Sequence, residues 1–481
     1  MRLAWFSPMP PVASGIATCS AELVAGLADE HQIDVFVDEP VARMRAGADA
    51  PPTLHSAHEF VWRHRAMPYD LTVYQLGNSS HHDYLWPYLF RYPGLAVLHD
   101  AHLHHARAAA LLRTKRPDDY RAEFAANHPG VARHLAELSV AGFDNHIYYA
   151  CPMTRLVVEA SRMTVVHARS LAAGLNAEIP GANVRCIHLG HGERLSDAAV
   201  SAARTKLRQK RRIPEGAVVF GVFGGLTPEK RVPQVLDAFE AVLPYSPDAH
   251  LLLAGAPASH YDVVGDVDRR GIAEHVTLTG YLETEGMLTD CIAACDVALS
   301  LRWPTAREIS GPWLRALAAG RATIIMDLEH LADVPALDPR TWRLNPGSGI
   351  ANSEFSPLEA EVTIPSPESS IPDAVTIAVD VMDEAHSLRL AMRRLAADPA
   401  LRALLGSAGR AYWEREHSPA RMLGDYCAAL QAAAALPVPD PPLPRHLVND
   451  GDDRLATLLA AFGVATPFQR SGRRLTIARA L

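Results

Sequence analysis

Residues 219–231, VFGVFGGLTPEKR, put two glycines and a lysine where chemistry on an anion can be done. A run of β-formers breaks at Gly224 and Gly225. A proline-containing turn follows, and Lys230 and Arg231 precede the apolar spacing of a helix. Glycines let backbone amides approach a ligand, and a helix start favours negative charge. A pyrophosphate fits that combination of amides and ammonium. The chain has only four lysines, Lys115, Lys206, Lys210 and Lys230, so one at this position stands out against the composition. A solvated lysine at a helix start is the alternative.

Two further residues stand in comparable places. His99 ends the short apolar run AVL and precedes Asp100. An imidazole at a strand's carboxyl end can hydrogen-bond a hydroxyl or a forming oxyanion, the alternative being a capped core histidine. Glu308 lies between a β-rich run and the apolar spacing of residues 313–319. Its carboxylate can accept two hydroxyl groups, or it can serve as a first-turn acid beside Ser310 as the cap. The stretch from His99 to His105, HDAHLHH, also permits a metal reading through His102 and His104, with His81, His82 and Asp83 nearby in sequence. No HExxH or CxxC motif completes such a site.

These residues need strands and turns to hold them. Strands are expected over 3–6, 33–37, 71–75, 95–98, 163–166 and 184–189, with a helix over 16–28 after the turn at Ser14 and Gly15. A second alternating series follows the basic run 204–212, RTKLRQKRR, with strands over 218–222, 250–254, 276–279, 296–300 and 323–326. Alternating strands and helices predict parallel sheets covered on both faces. The fold class is α/β, two Rossmann-like doubly wound domains facing a cleft, with ligands at the carboxyl ends of strands. The expected division is 1–195 for the N-terminal domain, 196–212 for the interdomain linker and 213–410 for the C-terminal domain. A helix over 411–435 packs back towards the N-terminal domain, and 436–481 forms a Pro-rich segment and tail. Residues 346–373 read as a surface excursion, with helical pattern over 374–397 and 399–435.

Composition narrows the classes. The chain has 481 residues, enough for two or more cores, with ordinary hydrophobic content of 48% and charged content of 21%. A net charge of -8 argues against bulk nucleic-acid binding. The basic run 204–212 reads as the solvated face of a helix, with anionic lipid as the alternative contact. Six scattered cysteines read as buried thiols in a reducing compartment, Cys291 and Cys295 sharing one helix face. The first residues read as a strand and no run reaches transmembrane length, so the expected place is the cytoplasm, with peripheral contact at the inner face of a membrane as the addition.

Four segments stand in an order that resembles a known family: SPMPPVASGIATCSAELVAGL, AVLHD, VFGGLTPEKR with LLLAG after it, and ACDVALSLRWPTAREISGPWLRALAAGRATI. The chain resembles the GT-B glycosyltransferases, in particular the retaining family 4, over roughly residues 1 to 435. The resemblance implies an N-terminal acceptor-binding domain and a C-terminal nucleotide-sugar domain. It implies that Gly15 lies by the donor's phosphates and sugar, that His99 faces the transferred sugar and that Lys230 neutralises the diphosphate. Glu308 would contact sugar hydroxyls beside Gly311. Gly224, Gly225, Arg231 and Arg315 complete the expected donor contacts. Two positions depart from the family pattern. Gly225 stands where an arginine is common, and Ala316, next to Arg315, stands where a glutamate commonly holds the ribose. Arg231, Arg302, Arg307 or Arg315 could replace the charge missing at Gly225.

The implied activity is retaining, metal-independent transfer from a UDP- or GDP-linked sugar to a hydroxyl of a glycan or lipid-linked acceptor, in cell-surface polysaccharide or glycoconjugate synthesis. No cofactor is expected beyond that co-substrate. The histidines from His99 to His105 would line the acceptor cleft or a helix surface. The alternatives are a catalytically degenerate GT-B protein that binds or scaffolds, a metal-dependent hydrolase using the histidine cluster, and a nucleotide-sugar epimerase of the same two-domain shape.

Overall fold

The structure, a computed structural model, describes residues 1–12, 14–38, 53–143, 146–345, 373–448 and 458–462. Its strands form two seven-stranded sheets. The first contains β1 (Arg2–Phe6), β2 (Gln32–Val37), β3 (Thr53–Ser56), β4 (Leu71–Leu76), β5 (Leu95–Leu98), β6 (Met163–Val166) and β7 (Val184–Cys186), in the spatial order β3-β2-β1-β4-β5-β6-β7. The second contains β8 (Val219–Phe223), β9 (His250–Ala254), β10 (Val276–Leu278), β11 (Val297–Ser300), β12 (Ala322–Met326), β13 (Ala336–Leu337) and β14 (Thr376–Val379), ordered β10-β9-β8-β11-β12-β14-β13. Every strand pairing is parallel, and the central strands are buried over nearly all their length, which is why they read as apolar runs. This is the two-sheet α/β architecture read from the alternation.

Both sheets reverse strand order beside their first strand. Chain leaving β1 and β4, or β8 and β11, therefore opens a crevice at the carboxyl edge. Gly15 follows β1, His99 follows β5, Gly224 follows β8 and Glu308 follows β11. The loops from the two sheets also meet directly. The Ala101 and His102 amides donate to the Ala306 carbonyl at 2.9 and 3.2 Å.

Several expectations need correction. The pattern over 374–397 holds β14 before its helix, which starts at Glu384. Thr376, Ile377 and Val379 are β-formers, and Thr376 pairs its hydroxyl with Thr323 Oγ1 of β12 at 2.7 Å. The run 399–435 is two helices, Pro399–Glu416 and Pro419–Ala435, because Ser418 caps the second and Pro419 cannot continue the first. The strand expected over 184–189 stops at Cys186. The basic run lies in the helix Asp197–Arg211, but it is not wholly a solvated face. Arg208 is buried and, with Arg204, clasps Asp296, each at 2.8 Å. All but the last residue of the excursion expected over 346–373, and most of the tail, lie outside the described residues.

The helix Pro419–Ala435 crosses to the first sheet, where Tyr426 packs 6.0 Å from Trp5, ring centre to ring centre. Residues 436–444 form neither helix nor strand. After them His446 reaches Glu123 of the N-terminal half at 2.8 Å. Cys291 and Cys295 are both buried, and the Cys295 thiol donates to the Cys291 carbonyl at 3.3 Å. Among the described residues no helix is long and apolar enough to cross a membrane.

Candidate functional site

A cavity of about 390 Å³ lies where loops from the two sheets meet. Gly15 contributes from the first sheet. Phe223 and Lys230 come from the end of β8 and the turn after it, and residues 299–302 and 305 with 308–313 come from the end of β11, the loop after it and the start of the helix Gly311–Ala318. Ile325, Met326, Leu328, His330 and Leu331 close the far wall from β12 and the turn beyond it. Of the residues singled out in the sequence, Gly15, Lys230, Glu308 and Gly311 line this cavity together.

The lysine is placed by backbone geometry. Gly224 takes a positive φ of 86°, and a Cβ there would lie 2.4 Å from Lys230 Nζ. Only glycine meets both conditions without strain. Thr227 caps the following turn by accepting from the Lys230 amide, and the ammonium donates back to the Phe223 carbonyl. Burial pulls the Lys230 pKa down to about 8, the nearby Arg302 adds to this, and Glu308 opposes it. A desolvated ammonium with a cationic neighbour is what an incoming polyanion would relieve.

Glu308 faces Lys230 from the other wall. Thr305 Oγ1 donates to its Oε2 at 2.8 Å, and Arg302 Nε stands 2.5 Å from its Oε1. Ser310, not Glu308, caps the helix Gly311–Ala318 by accepting from the Trp313 amide at 3.3 Å. That leaves the Glu308 carboxylate on the cavity. Glu308 also acts on Asp100, whose pKa rises to about 6, first through burial and then through this second carboxylate.

The other expected donor contacts lie elsewhere. Arg231 takes a left-handed φ of 59°, which turns its side chain onto Glu384, Nε to Oε1 at 2.7 Å. Arg315 pairs with Glu285 at 2.8 Å, and Arg307 with Glu329 at 3.1 Å. Ala316 is fully buried among Phe223, Cys295 and Ala319. Gly225 is exposed, and a Cβ there would meet nothing closer than Thr227 at 4.0 Å. Of the four arginines that could replace the missing charge, Arg302 is the one that lines the cavity.

His99 does not line it. Its Nε2 contacts Gln75 Oε1 at 2.7 Å and its Nδ1 contacts His167 Nε2 at 3.2 Å. Burial, then His167, holds its pKa well below the usual range. The rest of the histidine cluster is dispersed. His104 bridges the Cys151 carbonyl and the Tyr120 hydroxyl, and His102 is buried near Arg307. Among the described residues these side chains do not converge as metal ligands, which counts against the hydrolase alternative. Sequence reading passed over His330, which lines the cavity from the turn beyond β12, and Asp100, which follows His99 and lies within electrostatic reach of Glu308.

Residues 217–341 match the family model described as Glycosyl transferases group 1. No curated protein matches the chain significantly in sequence. Among solved structures, the chain is similar to Alr3699/HepE of Anabaena, crystallised with UDP and glucose. The TM-score is 0.57 at 13% identity, covering 90% of this chain and 100% of that one. WaaG, a glycosyltransferase involved in lipopolysaccharide biosynthesis, gives 0.55 at 12%, covering 89% and 98%. A glycosyltransferase of Rickettsia africae gives 0.57 at 11%, covering 90% and 98%. At these identities the likeness is one of fold. The two facing parallel sheets and the match over 217–341 identify this chain as a GT-B fold protein resembling the group 1 glycosyltransferases.

Proposed function

We propose that the protein transfers a sugar, with retention, from a nucleotide diphosphate sugar to a hydroxyl of a glycan or lipid-linked acceptor. The observation that carries this reading is the meeting of Lys230, Arg302, Glu308 and Gly15 around one cavity at the carboxyl edges of both sheets. Lys230 and Arg302 meet the charge that grows on the departing diphosphate, as preorganised electrostatic stabilisation. Glu308 holds sugar hydroxyls, and Gly15 lets the helix-start amides come close to the donor. The acceptor oxygen bonds to the anomeric carbon on the face from which the phosphate leaves. The electron pair of the broken bond stays on the phosphate oxygen, which takes the acceptor proton. This route needs no separate base and no metal step. The UDP and glucose bound by HepE support a UDP-linked donor. The N-terminal half supplies the acceptor side, and the role is in cell-surface glycoconjugate synthesis.

Incubation with UDP- and GDP-sugars, with and without chelator, tests the reading by release of nucleoside diphosphate. Magnetic resonance of the product reports the anomeric configuration. Chelator-insensitive release with the α-configured donor giving an α-linked product supports it. Donor binding without turnover on any acceptor favours the non-catalytic alternative, and inversion removes the proposed same-face attack.

A further inference from the structure

At the amino ends of the first sheet's strands, opposite the loops that build the cavity, Glu30, His31 and Cys427 gather one ligand atom each within 4.8 Å of one another. The first two residues lead into β2, and Cys427 lies on the helix Pro419–Ala435. We propose that these three side chains bind one divalent cation of the zinc class, with solvent as the fourth ligand, and fasten that helix to the N-terminal sheet.

The donor set is mixed nitrogen, sulfur and oxygen, which suits zinc and excludes the all-oxygen preference of magnesium or calcium. Spacing agrees. Tetrahedral zinc with bonds of about 2.3 Å to sulfur and about 2.0 Å to oxygen holds those two atoms about 3.5 Å apart. Cys427 Sγ and Glu30 Oε2 are 3.7 Å apart. Across that distance the Cys427 thiol donates to Glu30 Oε2, a contact that metal binding would replace. The imidazole is incompletely satisfied: His31 is only 9% exposed, and its Nε2 has no hydrogen-bond partner. Its Nδ1 faces the Met1 amino nitrogen at 3.4 Å. Glu30 is exposed and Cys427 half-buried, so a cation can enter from solvent without opening the core. Binding forms a sulfur–metal bond and breaks the S–H bond of Cys427, releasing one proton to solvent. The site shares no residue with the cavity at the strands' carboxyl ends and is independent of the transferase reading.

The test uses the full chain, stripped by chelator and titrated with zinc against a chromophoric competitor, then with cobalt. One zinc per chain is expected, with a cobalt–thiolate charge-transfer band in the near ultraviolet. Cys427→Ser removes the band and weakens zinc by at least about tenfold, and His31→Gln weakens it comparably. Cys427 is half-buried, so its serine variant should fold, and circular dichroism checks this. Zinc should also raise the thermal midpoint of the wild type and not of Cys427→Ser. Absence of stoichiometric binding at micromolar zinc overturns the proposal. So does a band and affinity unchanged in Cys427→Ser, which would place the metal on other histidines or cysteines.

Discussion

His99 Nδ1 lies 3.2 Å from His167 Nε2, and this contact sets the tautomer of both rings. His167 Nδ1 lies 2.9 Å from the Ile187 carbonyl, which can only accept, so Nδ1 carries the His167 proton. Its Nε2 then accepts from His99 Nδ1–H, which leaves His99 Nε2 as a lone pair facing Gln75 at 2.7 Å. Gln75 Oε1 stands at that position, so this tautomer calls for the Gln75 amide to be flipped, which brings its otherwise unpartnered Nε2 onto His99. Gln75 thereby holds His99 in place within the first sheet. Gln75→Leu leaves a buried His99 nitrogen without a partner and is expected to cost about 1–3 kcal/mol of stability while UDP affinity stays near wild type. Urea unfolding beside calorimetry decides this, and an unchanged midpoint would remove the role.

Buried neutral histidines also set the acid limit of stability. Burial brings His167, His191, His330 and His417 down to about 4 from an ordinary 6.5. Their pKa values are depressed on folding, so between about pH 6.5 and about pH 4 the unfolded chain binds more protons. Their contribution is complete above pH 6.5 and is lost as pH falls through about 4. Urea midpoints measured from pH 7.5 to 4.5 should decline below pH 6.5. A flat profile would contradict these environments.

Arg302 is expected to replace the charge absent at Gly225. It lines the cavity beside Lys230 and pairs there with Glu308, while Arg231, Arg307 and Arg315 are each paired with a glutamate away from the cavity. Arg302 is 46% exposed, so the effect is modest. Arg302→Ala should weaken UDP by about threefold to tenfold, and Arg307→Ala should change it by less than about twofold. Equal effects from both would show that the contribution is diffuse charge.

Two glycines separate what the fold needs from what a ligand needs. A Cβ at Gly15 would meet no atom within 4 Å, so the protein alone does not require glycine there. Gly15→Ala should keep the thermal midpoint of the wild type yet weaken donor binding by about tenfold or more. Gly224 differs, with its positive φ and the Lys230 ammonium against it. Gly224→Ala should cost about 1–2 kcal/mol of stability as well as donor affinity. A stable Gly15→Ala protein with normal affinity would move the donor away from this loop.

Legibility in the sequence followed physical pattern. Strands buried on both faces, such as β5 and β9, read directly as apolar runs. β14 did not, since its alanine-rich surroundings carry helical spacing and only its pairing with β12 reveals the strand. Lys230 and Glu308 were legible because each sits at a fixed offset from a strand end. Arg231, adjacent in sequence, was expected beside the donor, but a left-handed backbone aims it at Glu384, and local sequence does not display that turn. His330 reaches the cavity from beyond β12, a closeness that depends on strand order and not on spacing.

The most direct measurement is calorimetric binding of UDP and GDP to wild type and Lys230→Ala at pH 7 and pH 9. One nucleotide should bind wild type at pH 7, and Lys230→Ala should weaken it by about tenfold or more. Binding should also be weaker at pH 9, because the ammonium, with its pKa pulled down to about 8, must be protonated to hold a diphosphate. Binding of equal strength in both proteins at both pH values would contradict the assignment of Lys230 to the diphosphate.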